Sequence, residues 1–167
     1  MAIASVLLGA ASVECLVTCR NAPNSCLRCG KSDIFAGRDY TVATIPGPCT
    51  RIDLEDSQIG DVGAGALAEA LETHAEGIEL FLARSEIGDA GAIALAAALK
   101  VNNAVKEIHF HENTVGDDGA VAFAAMLKVN TGIEYMSFSS IYYEIWEVRE
   151  DSIFGNIGGA AFAEALK

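Results

Sequence analysis

Four times along this chain, a short segment of alternating apolar and polar residues precedes a longer run in which Ala, Leu, Phe or Met recurs every third or fourth position. The alternating segments are "RIDLEDSQ", "ELFLARSE", "EIHFHENT" and "YMSFSS". Within them Ile52/Leu54, Leu80/Leu82, Ile108/Phe110 and Met136/Phe138 lie two residues apart, the spacing of one face of a β-strand. The longer runs have helical spacing and predict helices over about 62–73, 90–101, 118–129 and 157–167. Most of their inner positions are Ala, so such helices can lie close together.

These units are copies of one another. "IGDVGAGALAEALE" at 59 returns as "IGDAGAIALAAALK" at 87, "VGDDGAVAFAAMLK" at 115 and "FGNIGGAAFAEALK" at 154, in steps of 28, 28 and 39 residues. A fixed period of this size is the mark of a stacked repeat. It also resolves an ambiguity, because Gly63-x-Gly65-x-x-Ala68 follows an apolar segment and opens a helix, as a dinucleotide-binding turn does. Gly63 recurs as Gly91, Gly119 and Gly158, whereas Gly65 becomes Ile93 and Val121, so the glycines belong to the repeat. Asp61, Asp89, Asp117 and Asn156 stand at the helix starts and are expected to cap the N–H groups of the helices they open.

Strand, loop and helix in about 28 residues, written L-x-L-x-x-(N/S)-x-I-G-D-x-G-A-x-A-L-A-x-A-L, resembles the leucine-rich repeat family in its ribonuclease-inhibitor-like subtype. The resemblance covers about residues 49–167, some 3.5 repeats. It implies an α/β solenoid with parallel strands lining a concave face and helices on the convex back. The asparagine of the family's ladder appears as Asn113, with Ser57, Ser85 and Ser152 at equivalent places. Projecting from the concave face would be Arg51, Asp53 and Glu55, then Glu79, Phe81 and Ala83, then Glu107, His109 and His111, then Tyr135, Ser137 and Ser139. Such surfaces bind proteins, which implies a non-catalytic interaction scaffold whose partner is another protein. The competing reading is a solvated face with no partner.

The longer third step holds eleven extra residues, 141–151, "IYYEIWEVRED". Tyr142, Tyr143 and Trp146, the only tryptophan, make it a candidate binding loop beside the concave face. A lid on the last repeat, or translated sequence outside any functional element, is the alternative.

Residues 1–48 differ in chemistry from the array. All three prolines and four of the five cysteines lie there, and Cys49 follows at once. Cys15-x3-Cys19-x6-Cys26-x2-Cys29 offers four thiolates in two pairs, a candidate zinc set and the one cofactor the sequence suggests. A disulfide cap on the array, a signal peptide and a disordered segment are the other readings of this region. "MAIASVLLGAASVEC" has Gly9-x-Ala11 before a cleavage point but no basic n-region, and the chain has no N-x-Ser/Thr sequon. The implied repeat subtype is mostly intracellular, which places the protein in the cytoplasm with secretion as the alternative. "SCLRCGKS" ends like a phosphate-binding loop, yet Ser25 replaces the first glycine and "DIFAG" is a poor helix.

Charge narrows the partners. Residues 1–50 carry about +1 and residues 51–167 carry seven basic against twenty acidic side chains, −13. So acidic an array repels nucleic acid and anionic lipid, and no stretch is long and apolar enough to span a bilayer. Glu107-x-His109-x-His111, with Glu79 or Tyr135 as a fourth group, is a further place to look for a divalent metal. No nucleophile with a positioned base can be assigned, so the chain reads as a non-enzyme. Regulation of a small GTPase or other enzyme through Arg51 or Arg84, and zinc-dependent interaction, are the alternative functions. The array stops at its fourth helix without a capping repeat, so self-association or a longer array is expected at that end.

Overall fold

A computed structural model describes residues 28–47, 49–138 and 156–165. Five short strands form one parallel sheet in chain order: β1 (Arg28–Cys29), β2 (Arg51–Asp53), β3 (Ile78–Phe81), β4 (Val105–His109) and β5 (Tyr135–Ser137). Helices α2 (Gly60–Glu72), α3 (Asp89–Val101) and α4 (Asp117–Leu127) connect or follow them, and α5 (Asn156–Ala165) closes the described chain. A single turn, α1 (Lys31–Ile34), follows β1. The chain is thus the α/β solenoid expected, with each predicted helix found within two residues of its expected start.

Register follows the repeat. Cys29, Ile52, Leu80, Ile108 and Met136 align across the five strands, and all but Met136 are fully buried. Leu54, Leu82, Phe110 and Phe138 form the next inward row, facing a helical row of Leu67, Leu95, Phe123 and Phe162. From the third repeat onward Phe replaces Leu in both rows. Phe123 then lies 5.3 Å from Phe110 and 4.9 Å from Phe138, and Phe162 lies 5.5 Å from Phe138, centroid to centroid. Each fully buried Leu or Phe contributes about 1.5–3 kcal/mol, so these two rows hold the stack together.

Asp61 and Asp89 cap the helix of the following repeat and not the helices they open. Asp61 Oδ1 accepts the N–H of Gly88 at 2.7 Å and of Gly91 at 2.9 Å, both at the start of the next repeat's helix. Asp89 Oδ1 does the same for Gly116 and Gly119, each at 2.8 Å. Capping therefore runs between repeats, and it corrects the expectation of capping within one. A Cβ on Gly91 would stand 2.8 Å from both Ala64 Cβ and Asp61 Oδ1. These glycines are needed for close helix approach, which is why Gly91 and Gly119 recur and Gly65 does not.

Two side-chain ladders join the repeats elsewhere. Asn113 Nδ2 donates to Leu82 and Phe110 carbonyls at 2.8 and 3.0 Å, and its Oδ1 accepts Ser85 and Ile87 N–H groups, both at 3.1 Å. Ser85 continues this line, donating to the Leu54 carbonyl at 2.6 Å. At the far ends of the helices, Asn102 Nδ2 donates to Leu71 and His74 carbonyls, both at 2.6 Å. Asn130 repeats the pattern on Leu99 and Asn102, at 2.6 and 2.8 Å.

The sheet begins before the array. β1 pairs in parallel with β2, Phe35 bridges Ala43, and Lys31 Nζ donates to the Ser57 carbonyl at 2.7 Å. A disulfide joins Cys29 to Cys49 with their Cα atoms 5.9 Å apart, and both residues are fully buried. Residues 28–47 and Cys49 thereby join the first repeat through β1, Lys31 and Tyr40.

Candidate functional site: the concave face of the sheet

Alternation along each strand turns one set of side chains away from the core. Arg28, Arg51, Glu79, Glu107 and Tyr135 align across the sheet, and beside them Asp53, Phe81, His109 and Ser137 form a second row. Of the concave residues expected from the sequence, Arg51, Asp53, Glu79, Phe81, Glu107, His109, Tyr135 and Ser137 are therefore neighbours; Ala83 is fully buried, Phe81 and Ser137 are largely buried, and Ser139 lies outside the described residues.

These rows interlock diagonally. The Arg51 guanidinium lies 3.5 Å above the Phe81 ring centroid. Phe81 and His109 stack at 4.1 Å with planes only 10° apart, and Tyr135 follows at 5.1 Å from His109 with a tilt of 37°. One cation and three rings thus form a continuous stack across four strands, with each contact bridging adjacent repeats. Planar groups held this way have few rotamers left to lose.

Charges flank the stack. Asp53 is nearly buried and takes Arg28 at 2.7 Å and Arg51 at 3.5 Å. Glu79 lies 3.9 Å from Arg51, and Glu107 lies 3.5 Å from His109 Nε2. Arg51 Nε and His109 Nε2 are buried and have no hydrogen-bond partner. His111 Nδ1 lies 3.4 Å from Ser137 Oγ at the end of the second row.

Beyond the strand ends, the loops form a rim. Asp56, Arg84 and Glu112 occupy equivalent turn positions, with φ of 53°, 52° and 56°. This left-handed conformation is uncommon for residues other than glycine, and it recurs because the turn recurs. Arg84 holds Asp56 through two bonds of 2.7 and 3.0 Å and lies 3.6 Å from Glu112. The hydrogen bond from Arg84 holds the Asp56 carboxyl below its usual pKa, and the Arg84 pKa is raised in turn. Both arginines considered for enzyme regulation are thus engaged within the chain.

The metal readings meet different geometry. Cys29 is bonded to Cys49, and a disulfide sulfur is no thiolate ligand; Cys15, Cys19 and Cys26 lie outside the described residues. Among the described residues no group of three or more His, Cys, Asp or Glu is arranged to hold a metal ion. His109 spends its ring on the stack instead. Tyr142, Tyr143 and Trp146 of the 141–151 insertion also lie outside the described residues.

Sequence reasoning missed the rim pair and the ladder of Asn102 and Asn130. The ladder has a signal, since Asn130 follows Asn102 by the repeat period and His74 precedes it by the same step. The rim pair has none, because Asp, Arg and Glu share a turn position without sharing a residue type.

No described helix is long and apolar enough to cross a membrane. No curated protein matches the chain. A family model described as leucine rich repeat matches residues 50–68, 79–96 and 101–124, which hold β2, β4, most of β3 and the starts of α2, α3 and α4. The repeats between residues 50 and 124 therefore match the leucine-rich repeat family.

Proposed function

We propose that this protein is a non-catalytic interaction module of ribonuclease-inhibitor-like repeat type, which holds another protein on its concave face. The subtype is supported by the 28-residue step and by full helices, rather than short turns, on the convex side. The observation that carries the function is the Arg51–Phe81–His109–Tyr135 stack. A solvated face needs only scattered polar groups, whereas this one brings planar anchors from four repeats into line. Repeats of this family generally serve as protein-interaction modules, and the insertion with Trp146 would extend the surface.

Regulation of an enzyme by a free arginine is the less favoured reading. Arg51 would have to leave Asp53 and Phe81, and Arg84 would have to leave Asp56 and Glu112. The buried Cys29–Cys49 disulfide favours maturation in an oxidising compartment over the cytoplasm, because cytosolic thiols are kept reduced.

The function is tested by affinity capture from the source organism with three proteins: wild type, His109→Ala/Tyr135→Ala, and the convex-face control Ile93→Glu. A polypeptide held by wild type and control but lost from the double variant supports the reading. Equal capture by all three contradicts it.

A further inference from the structure

Within the concave face one position is chemically incomplete. Glu79 and Glu107 are register partners on adjacent strands, so like charges sit about 5 Å apart at Cβ and repel. Their side chains are 42% and 43% exposed, open to whatever lies above the sheet. For Glu79 the chain supplies its own cation, since Arg51 lies 3.9 Å from the carboxylate and 3.5 Å above the Phe81 ring. Glu107 has the rings of His109 and Tyr135 beside it but no lysine or arginine partner among the described residues. The nearest group is His109 Nε2, buried and without a hydrogen-bond partner. One strand along, the sheet repeats the arrangement of carboxylate and ring and omits the cation.

We propose that this place is filled by an arginine or lysine side chain from a basic segment of the partner protein. The ammonium or guanidinium would pair with Glu107 and Glu79 above the sheet, beside the edges of the His109 and Tyr135 rings, since the His109 faces are already taken by Phe81 and Tyr135. Charge complementarity supports this occupant over others, because residues 51–167 carry twenty acidic side chains against seven basic. Cation–ring contact with a carboxylate behind it is a recognised way to select such side chains. The inference rests on the concave face being the interaction surface.

The test uses the full chain and a fluorescently labelled dodecapeptide of alternating arginine and glycine, titrated at physiological salt. Glu79→Gln/Glu107→Gln removes two charges from the slot, and Glu69→Gln/Glu72→Gln removes two exposed charges from α2 on the convex side. The slot variant should bind about tenfold more weakly and the convex variant within about twofold of wild type, since contact pairing exceeds screened attraction at a distance. Tyr135→Ala should weaken binding as well. Equal losses in the two charge variants would make the attraction diffuse and overturn the proposal. So would a dodecapeptide with glutamate for arginine binding as well, or affinity falling as protein concentration rises because a second copy takes the slot. If the peptide fails while affinity capture still depends on His109 and Tyr135, the cationic partner is wrong and the interaction face stands. Failure of both removes the face itself.

Discussion

Replacing Asp89 by Ala should uncap helix α4, which belongs to the following repeat, and leave α3, which Asp89 opens, capped as before. The carboxylate accepts the N–H groups of Gly116 and Gly119 at 2.8 Å each, across 27 and 30 residues of sequence. Loss of a capping acceptor costs about 1 kcal/mol, and a carboxylate near the positive end of a helix contributes up to about 1 more. The sum, about 2 kcal/mol, should lower the melting temperature by roughly 4–8 °C in a chain of this length. Thermal unfolding followed by circular dichroism gives that shift, and amide hydrogen exchange gives its location. Protection should fall at Gly116 and Gly119 and persist at Gly91, whose N–H is held by Asp61 at 2.9 Å. Loss of protection in residues 89–92 with α4 unaffected would refute capping between repeats.

The two glycines of the apparent nucleotide fingerprint should respond oppositely. Gly63→Ala should destabilise by about 1–3 kcal/mol, since its Cβ would press on Ile59 and stand 3.3 Å from Tyr40 Cβ. Gly65→Ala, with nothing within 4 Å, should stabilise by roughly 0.5–1 kcal/mol, both read from urea midpoints. Opening the Cys29–Cys49 bond, by reductant or by Cys29→Ser/Cys49→Ser, releases a loop of sequence separation 20 and should cost about 3 kcal/mol, measured as denaturant stability with and without reductant. The depressed Asp56 carboxyl stabilises the fold above its ordinary value of 3.8, and that contribution disappears as pH falls through its lower folded value. Asp56→Asn should therefore lose less stability than wild type below about pH 4, seen in melting temperature against pH.

Much of this architecture is legible in the sequence because its period is. Ile52/Leu54 and Leu80/Leu82 declare a strand face, and Ala-rich runs of equal phase declare helices that pack side by side. The partners of the aspartates are not legible, for a reason intrinsic to repeats. With a step of 28 residues, the helix that Asp61 opens and the next one present the same N–H groups, so sequence cannot say which of them it meets. Only the stagger of packed helices decides. The concave rows were readable from alternation, but the stack was not. It depends on Arg51 leaning diagonally onto Phe81, and on His109 facing Phe81 rather than chelating with Glu107 and His111. The disulfide was equally hidden, because five cysteines permit many pairings and proximity comes only from β1 joining β2.

Site-specific photocrosslinking addresses the concave face most directly. A benzophenone side chain is placed at Glu107, in the first row of the concave face, or at Ile93, on the exposed side of α3. Irradiation in the source organism should attach a single partner polypeptide to the probe at 107 and none to the probe at 93. The same partner at both positions, or at 93 alone, would contradict the assignment of the concave face.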